Sequence, residues 1–111
     1  MNQDQAMAVF TALAQESRLD VFRLLVRQEP RGLSVNDISQ QLNIVQSTLS
    51  GHLGLLRRVN LLKATRHQRE VHYSANLDSI GTLIRFLLED CCDGRVENCE
   101  KILPLIESCQ V

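Results

Sequence analysis

VQSTLSGHLGLLRRVN, residues 45–60, is the stretch on which the reading of the whole chain turns. Leu49, Leu53 and Leu56 fall at i, i+4 and i+7, the spacing of a buried helical stripe. The other face carries Ser47, Ser50, Gly51 and Gly54, with Gln46 at the N-terminal end. Glycine inside a helix costs ~1 kcal/mol relative to alanine, and this helix holds two. Small side chains let a helix backbone come close to another surface, and short polar groups near its start can reach phosphates or base edges in the major groove of DNA. Read alone, the segment favours such a contact only slightly over a weak helix with an ordinary polar face. Its neighbours decide.

On the N-terminal side, SVNDISQQL (34–42) has a helix-start signal in Ser34 and Asp37 and apolar positions at Val35, Ile38 and Leu42. So short a helix has to pack within a bundle. Upstream, a helix is expected over 4–15 through Met7, Val9, Phe10 and Leu13. SRLDVFRLLVRQEP (17–30) follows, with Ser17 and Asp20 as a capping-box-like start and Pro30 with Gly32 as the stop. On the C-terminal side, LLKATRHQREVHYSA (61–75) breaks the helical period and reads as strands 61–66 and 70–75 around a turn at 67–69.

A short helix, a turn, a second helix and a basic hairpin follow the order of a winged helix-turn-helix. The expected fold is therefore mainly α with a two-stranded β-wing. In that arrangement Gln46, Ser47 and Ser50 face base edges, with His52 counted on the same helix. Arg57 and the wing residues Arg66 and Arg69 meet phosphates, with His67 beside them. LDSIGTLIRFLLEDCC (77–92) then forms a helix whose apolar face, from Leu77 to Leu88, is too extensive for a free monomer surface. A homodimer is expected, joined through 5–13 and 77–88, with Val9, Phe10, Ile80, Leu83 and Leu87 in the interface. The DNA-binding and dimerisation domain spans 1–92 and a tail spans 93–111.

Composition agrees with this order. The 111 residues suit one domain, and 44% are apolar with no Trp, so the core is aliphatic and helical in style. No apolar run reaches the ~20 residues of a membrane span. The start, MNQDQAMAVF, lacks the basic and apolar regions of a signal peptide, so a cytoplasmic setting is expected. The net charge of −1 conceals segregation: residues 46–75 hold five basic side chains against Glu70 alone, while 76–111 hold three basic and seven acidic. A basic middle third suits a polyanion such as DNA. No glycine-rich loop or Arg-flanked cysteine loop is present, so no enzyme is expected and no cofactor is obligatory.

LAQESRLDVFRLL (13–25), LSVNDISQQLNIVQSTLSGHLGLLRRVNLL (33–62) and the wing through VHYS (71–74) resemble the ArsR/SmtB family of metal- and metalloid-responsive repressors. The likeness covers about residues 5–92, and QSTLSGHL is its most specific part. It implies a dimeric winged-helix repressor that leaves its own resistance operon when an inducer binds. The chain departs from two family patterns. Ser34 and Asn36 stand where many members have an arsenite-binding Cys-x-Cys, and the last helix has Asp78 and Glu89 but none of the zinc sensors' histidines. Val45 also replaces a frequent serine cap. The resemblance is instead to the arsenite-responsive subgroup with a double cysteine at the end of the last helix and a third soon after.

All four cysteines lie in the final twenty-one residues, three of them in LEDCCDGRVENCEK (88–101). Cys91, Cys92 and Cys99 offer three soft donors with no histidine nearby, which suits a trigonal thiophilic centre for As(III) or Sb(III). Zinc or cadmium is an alternative, with Cys109 as a fourth ligand. A thiol redox or persulfide switch is another. Against it, Glu89, Asp90, Asp93 and the negative end of a helix all disfavour a free thiolate, and Arg95 alone opposes them. The expected function is repression of an arsenic resistance operon, with double-stranded operator DNA, a second copy of the chain and As(III) as partners.

Overall fold

Asn2 starts the first helix: its side chain accepts from Gln5 N at 2.8 Å, and the Gln5 side chain accepts from Asn2 N at 2.9 Å. In the computed structural model, which describes residues 1–88, α1 spans Gln3–Leu13 and α2 spans Glu16–Arg27. The cap of α2 is Gln15, whose side chain accepts from Arg18 N at 2.8 Å. Ser17 and Asp20, expected as the start signal, are both inside the helix. Gln15 already satisfies one of the orphan N–H groups, so the helix begins before Ser17.

After α2 come β1 (Leu33–Ser34) and α3 (Val35–Leu42). Here the start signal is used as the sequence anticipates, with Ser34 Oγ accepting from Asp37 N at 3.2 Å. Asn43 ends α3 in the left-handed region at φ 55. Ser39 Oγ then donates to Ile44 O at 2.6 Å, which fixes the turn between the two helices of the motif. α4 spans Gln46–Arg58, and its N-cap Val45 makes no side-chain hydrogen bond. Strands β2 (Leu62–His67) and β3 (Glu70–Ala75) form the wing, and α5 covers Leu77–Leu87.

The expected two-stranded wing carries a third strand. The antiparallel order is β1-β3-β2, with Leu33 opposite Tyr73 and Ser34 opposite His72. A strand of two residues has no period that sequence could reveal. Gly32 makes the approach possible: at φ +73 it sits where an added Cβ would lie 2.5 Å from the Tyr73 carbonyl oxygen. In the hairpin, Leu62 opposes Ala75 and His67 opposes Glu70. Opposed residues share a face, so buried Leu62 and Ala75 mark the core side while Thr65, His67, Glu70 and His72 line the other.

The largest fully buried side chains are Leu25 and Val21 of α2, Ile38 of α3, Leu49, Leu53 and Leu56 of α4, and Leu61. The i, i+4, i+7 stripe of α4 is thus the centre of the core, where trimming one leucine to alanine costs ~2–5 kcal/mol. Asn76 ties the start of α5 to the end of α4, donating through Nδ2 to Asn60 O at 3.0 Å and to Ser79 Oγ at 2.9 Å.

Two residues expected at a dimer interface are part of this same core. Val9 is 2% exposed and Leu83 5%, so neither has surface to offer a partner. Each lies on the inner edge of its apolar helix face. The outer edge holds Phe10, 44% exposed, and Leu87, 55% exposed, with Met7, Leu77 and Ile84 also exposed and Ile80 half-buried.

Candidate nucleic-acid interface

The outward face of α4 is built from what its core stripe leaves over. With Leu49, Leu53 and Leu56 turned inward, Ser47, Gly51, Gly54 and Arg58 form an exposed row at i, i+4, i+7 and i+11. Among the described residues, and apart from the helix's own adjacent backbone, no atom comes within 4 Å of where a Cβ would sit on Gly51 or Gly54. Among the described residues, no packing therefore calls for glycine at either position. Gln46, Ser50 and Arg57 lie along one flank of the row, all exposed. Gln46 Nε2 donates to Asn36 Oδ1 at 3.1 Å, which links the start of α4 to α3. The first turn carries no acidic side chain and the last turn carries Arg57 and Arg58, so the face is free of negative charge.

His52 is placed differently from the other expected contacts. It lies ~140° around the helix from Ser47 at 100° per residue, half-buried on the opposite flank. Its Nδ1 is 3.5 Å from Arg18 Nη1 of α2. The same guanidinium donates through Nε to Ala12 O at 2.6 Å, at the end of α1. Thr48 is exposed one turn before His52. Thr48 and Arg58 are not among the residues expected to meet DNA, though the helical period alone puts both outside the buried stripe. Arg18 carries no such signal, because its contact with His52 spans 34 positions.

The wing supplies the remaining cations. Arg66 and Arg69 are exposed, as are Lys63 and His67. Arg66 Nε donates to Gln68 O at 3.4 Å, and the turn is closed by Gln68 in the left-handed region at φ 57. Behind the tip, the His67 and His72 rings pack with centroids 4.7 Å apart, and His72 Nε2 lies 3.3 Å from Glu70 Oε2. Side chains on this part of the wing are thereby held against one another.

Among the described residues, no group of three or more His, Cys, Asp or Glu side chains could hold a metal ion. Nor is any helix among them long and apolar enough to cross a membrane. The expected inducer ligands Cys91, Cys92 and Cys99, together with Cys109 and the tail 93–111, lie outside the described residues.

Residues 13–65 match the family described as a helix-turn-helix domain. Over 93 residues the chain is 33% identical to the transcriptional activator HlyU of Vibrio cholerae, covering 84% of this chain and 83% of that protein. Over 86 residues it is 37% identical to the transcriptional repressor SmtB homolog of Synechocystis, covering 77% of this chain and 63% of that one. A solution structure from Mycobacterium bovis is also similar, with a TM-score of 0.64 and 25% identity, covering 85% of this chain and 83% of that chain. It is the homodimeric winged helix-turn-helix DNA-binding domain of a possible ArsR-family regulator.

Proposed function

The chain belongs to the ArsR/SmtB family of winged helix-turn-helix transcriptional regulators, and from that premise we propose that it is a homodimeric repressor released from operator DNA by As(III) or Sb(III). The DNA-binding half rests on one observation above the rest: the outward row of α4 is Ser47, Gly51, Gly54 and Arg58, with both glycines open to solvent. An unobstructed helix backbone edged by short hydroxyls is suited to close approach in a major groove. Gln46, Ser47 and Ser50 are assigned to base edges, and Arg57, Arg66 and Arg69 to phosphates. These side chains are all exposed.

The dimer is assigned to the exposed apolar edges of α1 and α5, namely Met7, Phe10, Leu77, Ile84 and Leu87. A homodimer also presents two recognition helices to the two halves of a palindromic site. Residues 1–92 form the DNA-binding and dimerisation domain, and 93–111 complete the inducer site. That site is drawn from sequence alone: Cys91, Cys92 and Cys99 supply three soft donors, which match a thiophilic ion better than a histidine-poor zinc site. The protein acts in the cytoplasm and needs no resident cofactor.

The test is a titration. Operator DNA bound to the protein is challenged separately with arsenite, antimonite, zinc, cadmium and an oxidant. Release by arsenite or antimonite at stoichiometric levels supports the assignment. Release only by zinc or cadmium replaces it with a divalent sensor, and release only by the oxidant replaces it with a thiol redox switch. Reporter transcription that rises when the protein is supplied would reverse the sign from repression to activation.

A further inference from the structure

We propose that Arg18, on α2, is a positioning residue for DNA: its guanidinium holds His52 in the tautomer that turns Nε2–H outward to a backbone phosphate. This rests on the DNA-binding reading above and extends it to a residue outside the basic segment 46–75.

The argument starts from the two contacts of the guanidinium. Arg18 Nε donates to Ala12 O at 2.6 Å, which fixes the plane of the group against the end of α1. Nη1 then lies 3.5 Å from His52 Nδ1. A guanidinium has donors and no acceptor, so Nδ1 has to be the acceptor in this contact. A neutral imidazole accepting at one nitrogen carries its proton on the other. The proton is therefore on Nε2, the ring nitrogen remote from Arg18.

Among the described residues His52 Nε2 has no hydrogen-bond partner, and the ring is half-buried, with Nδ1 held by α2. Thr48, four residues earlier and exposed, extends the same edge of α4. Among the described residues the only ion pair is His72 with Glu70, and no carboxylate there pairs with Arg18. A cation behind a neutral N–H donor favours an anion in front of it. On a duplex, the anions beside a recognition helix are backbone phosphates.

Arg18 also joins α1 to α2, so loss of binding on its removal is not enough by itself. The experiment uses the full chain and a random-sequence duplex at low salt, because a phosphate contact carries no sequence information. Arg18→Lys keeps the charge and loses the two-point fork. His52→Asn keeps a polar group near Nδ1 and loses the outward donor, whereas His52→Gln places an amide near Nε2. We expect Arg18→Lys and His52→Asn each to bind about tenfold more weakly, the scale of one hydrogen bond to a charged group, and His52→Gln to recover most of the loss. Nitrogen NMR of the wild type should show the Nε2–H tautomer of His52, and Arg18→Lys a mixture. A folded Arg18→Lys protein with wild-type affinity and an unchanged tautomer overturns the proposal. So does wild-type binding by His52→Asn, or a His52→Gln protein as weak as His52→Asn, whatever becomes of the Arg18 variant. If the wild type itself binds no duplex, the DNA reading falls with it; if it binds and the variants match it, this inference falls alone.

Discussion

Arg69 stands at the wing tip beside Gln68, whose left-handed backbone closes the turn, and it is exposed. A cation on a hairpin tip has little else to do inside the chain. If it neutralises one phosphate, Arg69→Ala should weaken binding to every sequence and lower the slope of log affinity against log salt by about one. The check is a salt series on wild type and variant, and an unchanged slope removes Arg69 from the interface. The glycines of α4 give a test that separates function from folding. Alanine at Gly51 or Gly54 meets no atom within 4 Å, so each substitution should stabilise the helix by ~1 kcal/mol. The same methyl group stands on the face assigned to the groove. We expect Gly54→Ala to melt higher and bind DNA more weakly, read by thermal denaturation and a binding isotherm on one preparation. A variant that gained stability and bound equally well would show that the face stays clear of DNA.

α5 shows what separates an element's period from its placement. Its apolar residues all fall on one broad face, but that face is wider than the core needs. The inner edge, with Leu83, packs within the chain, and the outer edge, with Leu77, Ile84 and Leu87, stays exposed. A charge at Leu83 therefore tests folding, and Leu83→Asp should unfold the protein. Ile84→Asp should instead leave the fold intact and give monomers that bind operator poorly. Sedimentation at micromolar concentration reads the difference, and a wild type that sediments as a monomer removes the dimer from the proposal. The same limit applies to the other elements. Helix α3 was legible because Ser34 caps it locally, and α4 because its leucine stripe is the core itself. What stayed hidden depends on the partner strand or helix. Strand β1 exists through its pairing with Tyr73 and His72. Gln15 displaces Ser17 as the cap of α2 because α1 ends close before it. Likewise His52 was grouped with the groove-facing residues by its helix, although its environment is set by Arg18. Those relations are tertiary, and no local pattern encodes them.

In the molecule as a whole, the proposed function couples a DNA face on α4 and the wing to an inducer site formed by cysteines that follow α5 in the sequence. On the proposed function, the link between them would be mechanical. Asn76 ties α5 to the end of α4, which gives the proposed response a route by which a shift in the last helix would reach the recognition helices. These have to sit ~34 Å apart to read successive major grooves, and a small change of tilt at the dimer axis alters that spacing. An inducer acting this way would oppose DNA through a coupling free energy, typically ~1–3 kcal/mol, which would lower operator affinity roughly 5–150-fold and require DNA to weaken inducer binding equally. Cys91, Cys92 and Cys99 lie within nine residues of one another in the sequence, and the proposed function has all three hold one ion. Serine at any one of the three should leave DNA binding intact and blunt release by As(III), since two thiolates hold the ion less tightly than three. Cys109→Ser should change little. The measurement is operator release by As(III) from each single variant. Full release from Cys92→Ser, with loss confined to Cys109→Ser, would move the site into the tail and break the proposed link through α5.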